Sequence, residues 1–585
     1  MKYVFYENNE AGVVNVSAEM LYGKSGAGGM TDAKFGFVTE RNRNNSAYLK
    51  IPELTSGFVP APCFGTGEVT EICQDSCGCY IKSKYDGLYP LSFRIGVDSE
   101  GVYSVTVKVC SGDETDGSVT TNASGGSGGV MIFSNNRQLV FRGNLKSGVS
   151  IVKTFPVAVY PIIPRNYTKA ADTTGITVTV IGRGVRLQSV EIVKKRGASA
   201  EGASYGTPRN SSLPVLWIAG DSTVTDQCCD YPYVSGASYA GWGQMLPSFV
   251  GNEYAVSNNA HSGLTLESFR SEGHWEIVKS RMRRKDLVLF QFGHNDQKLA
   301  HLTAEGGYRR LYTEYIGEVR EAGGIPVIVT PLARNTWKGD GESYNDLLSA
   351  YNDECVRLGK ELDVPVVALH DAAAGFIVRN GREAVKKYFY PSDYTHTNDY
   401  GAYFFASIVY CELVRLGVLD EGIKAAAINT ENPLWTAPER VVMPELLPEF
   451  LSCVPAGEDP LAGETDLDKV LTRAESLALV VKAMKFFSVN VYNDTFTDVV
   501  GHEPYAGVVE CGVQNGIIPA EDVAAKRFRP EDNVTGEEFL AFAQNGYRSR
   551  QPGNVVGSIA ESVGLRGKST VLKKEAITVL RALKV

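Results

Sequence analysis

Five apolar residues, Val215–Ala219, run without a break into Gly220-Asp221-Ser222-Thr223-Val224-Thr225-Asp226. An unbroken apolar run of that length reads as a strand covered on both faces, and covered strands belong to parallel sheets flanked by helices. Gly220 permits a tight turn, and small polar residues follow it where a helix can begin. Two readings of the turn stand at this point. It is a Ser/Thr helix cap, or it carries chemistry at the carboxyl end of a strand, where open α/β sheets place their sites.

The surrounding chain alternates strands with helices from about 212 to 430. The apolar runs predict strands at Val215–Ala219, Tyr254–Ser257, Asp286–Phe292, Ile325–Thr330 and Val364–Leu369. Helical periodicity marks Thr265–Phe269, Gly307–Ala322, Tyr344–Leu362 and Tyr400–Leu416, while Met245–Phe249 closes a first helix that serves packing. Such alternation implies a parallel sheet with helices on both faces and right-handed connections. Residues 1–205 read differently. Short β-branched runs such as Tyr103–Val109, Val130–Phe133, Ile176–Ile181 and Arg186–Val193 are separated by turn-rich stretches such as Gly125–Gly129, which predicts an all-β sandwich. That module either binds carbohydrate or braces its neighbour. Gly197–Ser204 is a polar linker, and 431–460 is a proline-containing one. Residues 461–585 form a small α-helical module, in which Leu471–Glu475, Val534–Glu538 and Val571–Ala576 repeat a capping-box pattern before apolar runs.

At 585 residues the chain exceeds a single core. A net charge of −9 without a basic stripe argues against nucleic acid, and no apolar run approaches the roughly 18 residues of a membrane helix. Met1–Asn8 reaches acid and amide too early for a signal peptide, so the expected compartment is the cytoplasm, or the cell surface or exterior if a leader has been removed. Eleven cysteines, with Cys228 and Cys229 adjacent, do not make a disulfide framework. Cys73, Cys77 and Cys79 lack a matching Cys/His pair, so structural thiols are favoured over a metal half-site.

Three further segments fall on loops that can join the Ser222 turn. They are Asn258–Leu264 after the second strand, Phe292–Gln297 after the third, and Ser392–Asn398 before the last helix. A serine hydroxyl needs a base, and His396 follows Asp393 by three residues, so one short loop can present imidazole and carboxylate together. An oxyanion needs preorganised donors. The Gly263 N–H can approach closely because no side chain obstructs it, Asn295 can add a side-chain N–H, and the Ser222 N–H is a third. Each residue alone also reads as a turn, a cap or a core histidine; the set in this order points to acyl transfer.

Gly220-Asp221-Ser222, Gly263, Gly293-His294-Asn295-Asp296 and Asp393-Tyr394-Thr395-His396 resemble the four blocks of the SGNH/GDSL hydrolases over about residues 212–418. Within that family, Gly-Asp-Ser-Thr, Gly-His-Asn-Asp and the tail through Ala402 resemble the rhamnogalacturonan acetylesterases, whose members often carry a preceding β-sandwich. The resemblance implies a flavodoxin-like three-layer fold, Ser222 as nucleophile, His396 as base and Asp393 as its orienter. It implies an oxyanion hole of Ser222, Gly263 and Asn295, and no cofactor or metal. The expected substrate is an O-acetylated plant polysaccharide or oligosaccharide, with acetylxylan or another glycan as alternative; a scaffold that only binds glycan is the non-catalytic alternative. His261, His294 and Asp221 are the candidate substrate contacts. Leu264-Thr265 stands where related enzymes often have Arg-Ser, so an arginine for an acidic sugar is absent there. Phe496–Val499, Gly501-His502, Gly516–Ile518, Phe528–Pro530 and Val534–Glu537 resemble an S-layer homology module, and Thr472-Arg473-Ala474-Glu475 keeps the basic residue of its Thr-Arg-Ala-Glu motif. That resemblance implies weak contact with a cell-wall polymer, or a degenerate module packed on the enzyme.

Overall fold

The computed structural model describes residues 1–6, 8, 10–20, 34–38, 70–83, 87–111, 129–135, 138–146, 148–163, 175–197, 213–226, 233, 235–236, 238–338, 343–390, 393–420, 425–438, 461, 463–484, 486, 495–499, 505–549 and 556–583. Most of the expected linkers, Gly125–Gly128, Cys228, Cys229 and Gly501-His502 lie outside the described residues. The chain packs as two compact units. One comprises 1–335, 346–390 and 396–446; the other comprises 336–345, 391–395 and 447–585.

The first unit opens with strands in two sheets. β1 (Lys2–Val4), β2 (Val13–Asn15), β4 (Thr70–Asp75), β5 (Gly78–Ser83), β7 (Gly101–Ser111), β10 (Ser150–Val159) and β12 (Val185–Gly197) form a seven-stranded sheet, with β7 between the edge strand β10 and β12, and β12 pairing in turn with β1 and β5. β3 (Phe35–Val38), β6 (Leu91–Gly96), β11 (Gly175–Ile181), β8 (Gly129–Ser134) and β9 (Gln138–Asn144) form a five-stranded sheet in that order. Apart from the parallel β1–β2 pair, the pairings are antiparallel. Alternating residues from both sheets, among them Phe5, Phe37, Phe93, Val105, Val107, Val178 and Val190, enclose one apolar core. Cys73, Cys77 and Cys79 sit on the β4–β5 hairpin, and burial pushes the Cys79 thiol up to about 12, which suits a packed thiol.

A second five-stranded sheet follows, wholly parallel, in the order β14 (Ala255–Asn258), β13 (Val215–Gly220), β15 (Leu287–Gln291), β16 (Ile325–Val329) and β17 (Val366–Val367). Strands β13, β14 and β15 are buried along their whole length, as the unbroken apolar runs require. Helices α1 (Trp242–Met245), α2 (Pro247–Val250), α3 (Leu266–Ser271), α4 (His274–Arg281), α5 (Arg309–Glu321), α6 (Ser349–Leu362), α7 (Leu369–Asn380), α8 (Arg382–Val385) and α9 (Asp399–Arg415) connect them. The helix expected at Thr265–Phe269 is longer and is broken by Gly273, at φ 88°. The strand expected at Val364–Leu369 shrinks to two residues: Pro365 has no N–H to give the ladder, and Leu369 already begins α7. The helix expected from Tyr344 starts at Ser349. Val102 and Tyr160, from the β7 and β10 region, enter the core of this α/β body, and the Tyr160 ring lies 4.9 Å from that of Trp217.

The second unit is described by α10 (Arg473–Ala483), α11 (Ala506–Gln514), α12 (Ala520–Ala525), α13 (Gly536–Arg548), α14 (Val556–Val563) and α15 (Lys573–Ala582) around an apolar core. Thr472 and Thr535 make full capping boxes with Glu475 and Glu538. At the third repeat Leu572 has no side-chain acceptor, so only the Glu575 half forms, accepting from the Leu572 N–H at 3.0 Å. Arg473 is buried. It donates to the Phe528 carbonyl and to Asp522, pairs with Glu538 at 2.5 Å, and lies between the Phe528 and Phe542 rings. The basic residue of the Thr-Arg-Ala-Glu motif therefore holds the module together from inside. Among the described residues no helix is long and apolar enough to cross a membrane.

Candidate active site

β13 ends at Gly220, where an added Cβ would stand 2.9 Å from the Gln291 carbonyl, so glycine is required for the close approach of β15. The chain then turns on Asp221. Its carbonyl accepts from Val224 and Thr225, and its Oδ1 accepts from the Thr223 N–H at 2.9 Å and hydroxyl at 2.8 Å. Gln291, the last residue of β15, donates to the Thr223 hydroxyl at 2.7 Å and accepts from the Trp242 indole at 2.7 Å. Ser222 is thus presented from a turn whose neighbours are all tied down. Its Oγ lies 2.7 Å from Nε2 of His396.

His396 comes from the segment ahead of α9, which is fixed just as closely. The Thr397 hydroxyl donates to the Ala240 carbonyl, and Asn398 donates to the carbonyls of Gly236, Lys387 and Phe389 while its Oδ1 caps α9 through the Gly401 N–H. Half-buried Tyr239 sets its ring at 86° to the imidazole, 5.8 Å away. Asp393 belongs to the second compact unit. It is buried, and one carboxylate oxygen accepts from the Thr395 N–H at 2.7 Å.

Asn295 is half-buried at the head of a short 3-10 turn. Its Nδ2 donates to the Leu264 carbonyl at 3.0 Å, and its Oδ1 accepts from Lys298 at 2.9 Å. One of its two N–H groups is thereby spent on holding the amide, and among the described residues the other makes no hydrogen bond. Leu264, at the position where related enzymes often carry arginine, is buried. Gly263 is exposed at φ 86°, and a Cβ there would meet nothing within 4 Å. The glycine is needed for its left-handed backbone and not, as expected, for lack of room. Asp296 is buried beneath, accepting from the N–H groups of Leu266 and Gly293, and burial pushes its carboxyl up to about 7.

Asp221 and His294, expected to meet substrate, are shut inside the body at 0% and 2% exposure. They face each other at 3.1 Å, and the second ring nitrogen of His294 lies 2.9 Å from the Leu332 carbonyl. Both ring nitrogens thus face acceptors, so the geometry calls for an imidazolium paired with a carboxylate. Burial opposes ionisation of Asp221. The His294 charge and the bonds from His294 and Thr223 outweigh it and hold the carboxyl below its usual range. Burial pulls His294 the other way, downward; the two acceptors decide for the ion pair. His261 remains half-buried at the rim, its N–H donating to Gly220. The amino-acid pattern gave no role to Gln291 or Trp242, and none to Asn258 beyond opening its loop. The signal available was a glutamine closing an otherwise apolar strand, a costly place for an amide without a task.

A hydroxyl in hydrogen-bond contact with an imidazole, at the carboxyl edge of a five-stranded parallel sheet, defines a serine hydrolase site. Residues 218–402 match the GDSL-like lipase/acylhydrolase family, and residues 495–540 match the S-layer homology domain. The rhamnogalacturonan acetylesterase RhgT of Bacillus subtilis (strain 168) is 32% identical over 216 residues, covering 35% of this chain and 90% of that protein. The probable rhamnogalacturonan acetylesterase YesY of the same organism is 29% identical over 214 residues, covering 35% and 94%. A solved structure, YxiM of Bacillus subtilis, is 18% identical with a TM-score of 0.35, covering 71% of this chain and 98% of that one. The chain belongs to the GDSL-like lipase/acylhydrolase family and is a serine esterase of the SGNH type.

Proposed function

We propose that the protein removes O-acetyl groups from a plant cell-wall glycan, a rhamnogalacturonan or related pectin first, through an acetyl-serine intermediate. The observation that carries the reading is the 2.7 Å contact between His396 Nε2 and Ser222 Oγ. As His396 takes the proton, Oγ adds to the acetyl carbonyl carbon, and the N–H groups of Ser222, Gly263 and Asn295 receive the oxyanion. Collapse breaks the bond to the sugar oxygen, which leaves with the proton from His396. Water, deprotonated by the same imidazole, then adds to the acetyl group, and acetate departs as Ser222 regains its proton. Asp393 keeps His396 in the working tautomer. The names of the relatives support the glycan, and the S-layer homology match supports a secreted or cell-surface protein in contact with wall polymer. Arg473 is not the residue that makes such contact, being enclosed by its own module. The N-terminal sheets act as a sandwich that braces the hydrolase.

Ser222→Ala is expected to abolish hydrolysis of p-nitrophenyl acetate with the fold intact; a variant that retains activity would refute the assignment. Acetate release from acetylated pectins, xylans and mannans then ranks the glycans. Fastest release from a xylan or mannan replaces the pectin reading while leaving the esterase in place.

A further inference from the structure

The N-terminal sheets connect to the segments that carry the catalytic pair at two places. Gln138, buried at the start of β9, donates Nε2 to Asp226 Oδ2 at 3.2 Å. The other oxygen of Asp226 accepts from Asn258 Nδ2 at 2.9 Å, and the same amide donates to the Val224 carbonyl at 2.9 Å. Asn258 Oδ1 accepts from the Ala260 N–H at 3.1 Å, and the Ala260 carbonyl accepts from the Thr225 hydroxyl at 2.6 Å. Val224, Thr225 and Asp226, close behind the nucleophile, are therefore locked to one another and to β9. On the other side α1 leaves no slack: a Cβ at Gly243 would stand 2.5 Å from the Val224 carbonyl.

The second place lies behind His396. Leu88 pairs in antiparallel fashion with Tyr233, whose N–H donates to it at 2.8 Å and whose ring lies 6.3 Å from that of Phe133. The Tyr233 hydroxyl bonds to Asp399, the first residue of α9, three positions past His396. Asp399 also accepts from the Gly236 N–H at 2.7 Å.

We propose that the N-terminal two-sheet region is a positioning element of the esterase. Through Gln138 and Asp226 it holds the Ser222 turn at the distance at which His396 can take the proton. The inference rests on the esterase reading of Ser222 and His396. A general base works within about 2.6–3.2 Å of its proton donor, and a shift of about 1 Å costs roughly a hundredfold in rate. Attachment alone does not need this bond. Arg281 already grips Glu100 with two contacts, at 2.6 and 2.9 Å, and Tyr160 packs on Trp217.

The test uses the full chain, p-nitrophenyl acetate and a melting curve for each variant. Gln138→Ala is expected to lower kcat by roughly tenfold or more with little change in KM. Gln138→Glu sets carboxylate against carboxylate and lowers kcat further. Adding Asp226→Asn to Gln138→Glu reverses donor and acceptor, restores the hydrogen bond and recovers most of kcat. Glu100→Ala lowers the melting temperature and leaves kcat alone. Wild-type kcat in Gln138→Ala overturns the proposal, and so does a double variant no better than Gln138→Glu. If Gln138→Ala fails to fold, the comparison of Gln138→Glu with the double variant decides. A folded wild type with no esterase activity instead overturns the reading on which the proposal rests.

Discussion

The floor of the site and its rim are built on opposite plans. On the floor, Asp221, Thr223, Gln291, Trp242, Asn258 and His294 are buried, and their polar groups bond to one another, to backbone or, for Asn258, also to Asp226. At the rim, Gly263 is exposed, and Asn295, His261 and His396 are half-buried. Asn295 keeps a spare N–H there. A bonded, buried floor resists displacement because every broken bond leaves a desolvated group without a partner. A rim of partly exposed groups can be changed at little cost to the fold, because water replaces a lost partner there. Changes to the floor should therefore appear in stability, and changes to the rim in rate.

His396→Ala should have the largest effect, lowering kcat on p-nitrophenyl acetate by about 10⁶-fold while the melting temperature barely moves. A large loss of stability instead would place His396 with the floor. His294→Ala should do the reverse. It strands the Asp221 carboxylate in the interior, and breaking a buried pair costs about 3–5 kcal/mol, readable by urea unfolding. Asn295→Ala removes a proposed oxyanion donor, and kcat should fall about 10²–10³-fold. A KM effect without a kcat effect would make Asn295 a substrate contact instead.

Behind the rim, His274 sharpens the same division. Burial, helped by the nearby His261, lowers its imidazole to about 4, so it is neutral in the folded protein. A base depressed in this way contributes stability above its unfolded value near 6.5, and that stability is lost as pH falls toward about 4. The loss is on the order of 3 kcal/mol. His274→Gln should flatten the fall in melting temperature between those values. An unchanged slope would move the acid sensitivity elsewhere.

This division explains what could be read in advance. The strands of the parallel sheet announce themselves because burial on both faces leaves an unbroken apolar run, and Val215–Gly220 and Leu287–Gln291 stand within about one residue of expectation. The meeting of Ser222 with His396 was legible because a hydroxyl on a turn after a strand calls for an imidazole within reach, and the segment before the last helix offers one. The floor was not. Nothing local to His294 says that Asp221 and the Leu332 carbonyl will flank its ring, since both partners come from distant segments. In a linear reading a buried histidine and a substrate contact look alike. Tyr233 and Asp399 were hidden for the same reason, their bond spanning 166 positions.

Gly263→Ala should have the smallest effect, and it separates two causes that the rim otherwise combines. The position has ample space, so the methyl group itself meets nothing. Its φ of 86° is the obstacle, and holding an L-residue in left-handed backbone costs roughly 1–2 kcal/mol. If the loop keeps its conformation, that cost falls on stability and kcat stays near wild type. If the loop relaxes, the Gly263 N–H swings away from the oxyanion, stability is spared and kcat falls instead. Gly263→Asn distinguishes them, because asparagine tolerates this backbone better than alanine. Recovery of whichever quantity Gly263→Ala lost confirms that backbone conformation is the reason for glycine here. Equal losses in both variants would mean that the ligand itself needs the space.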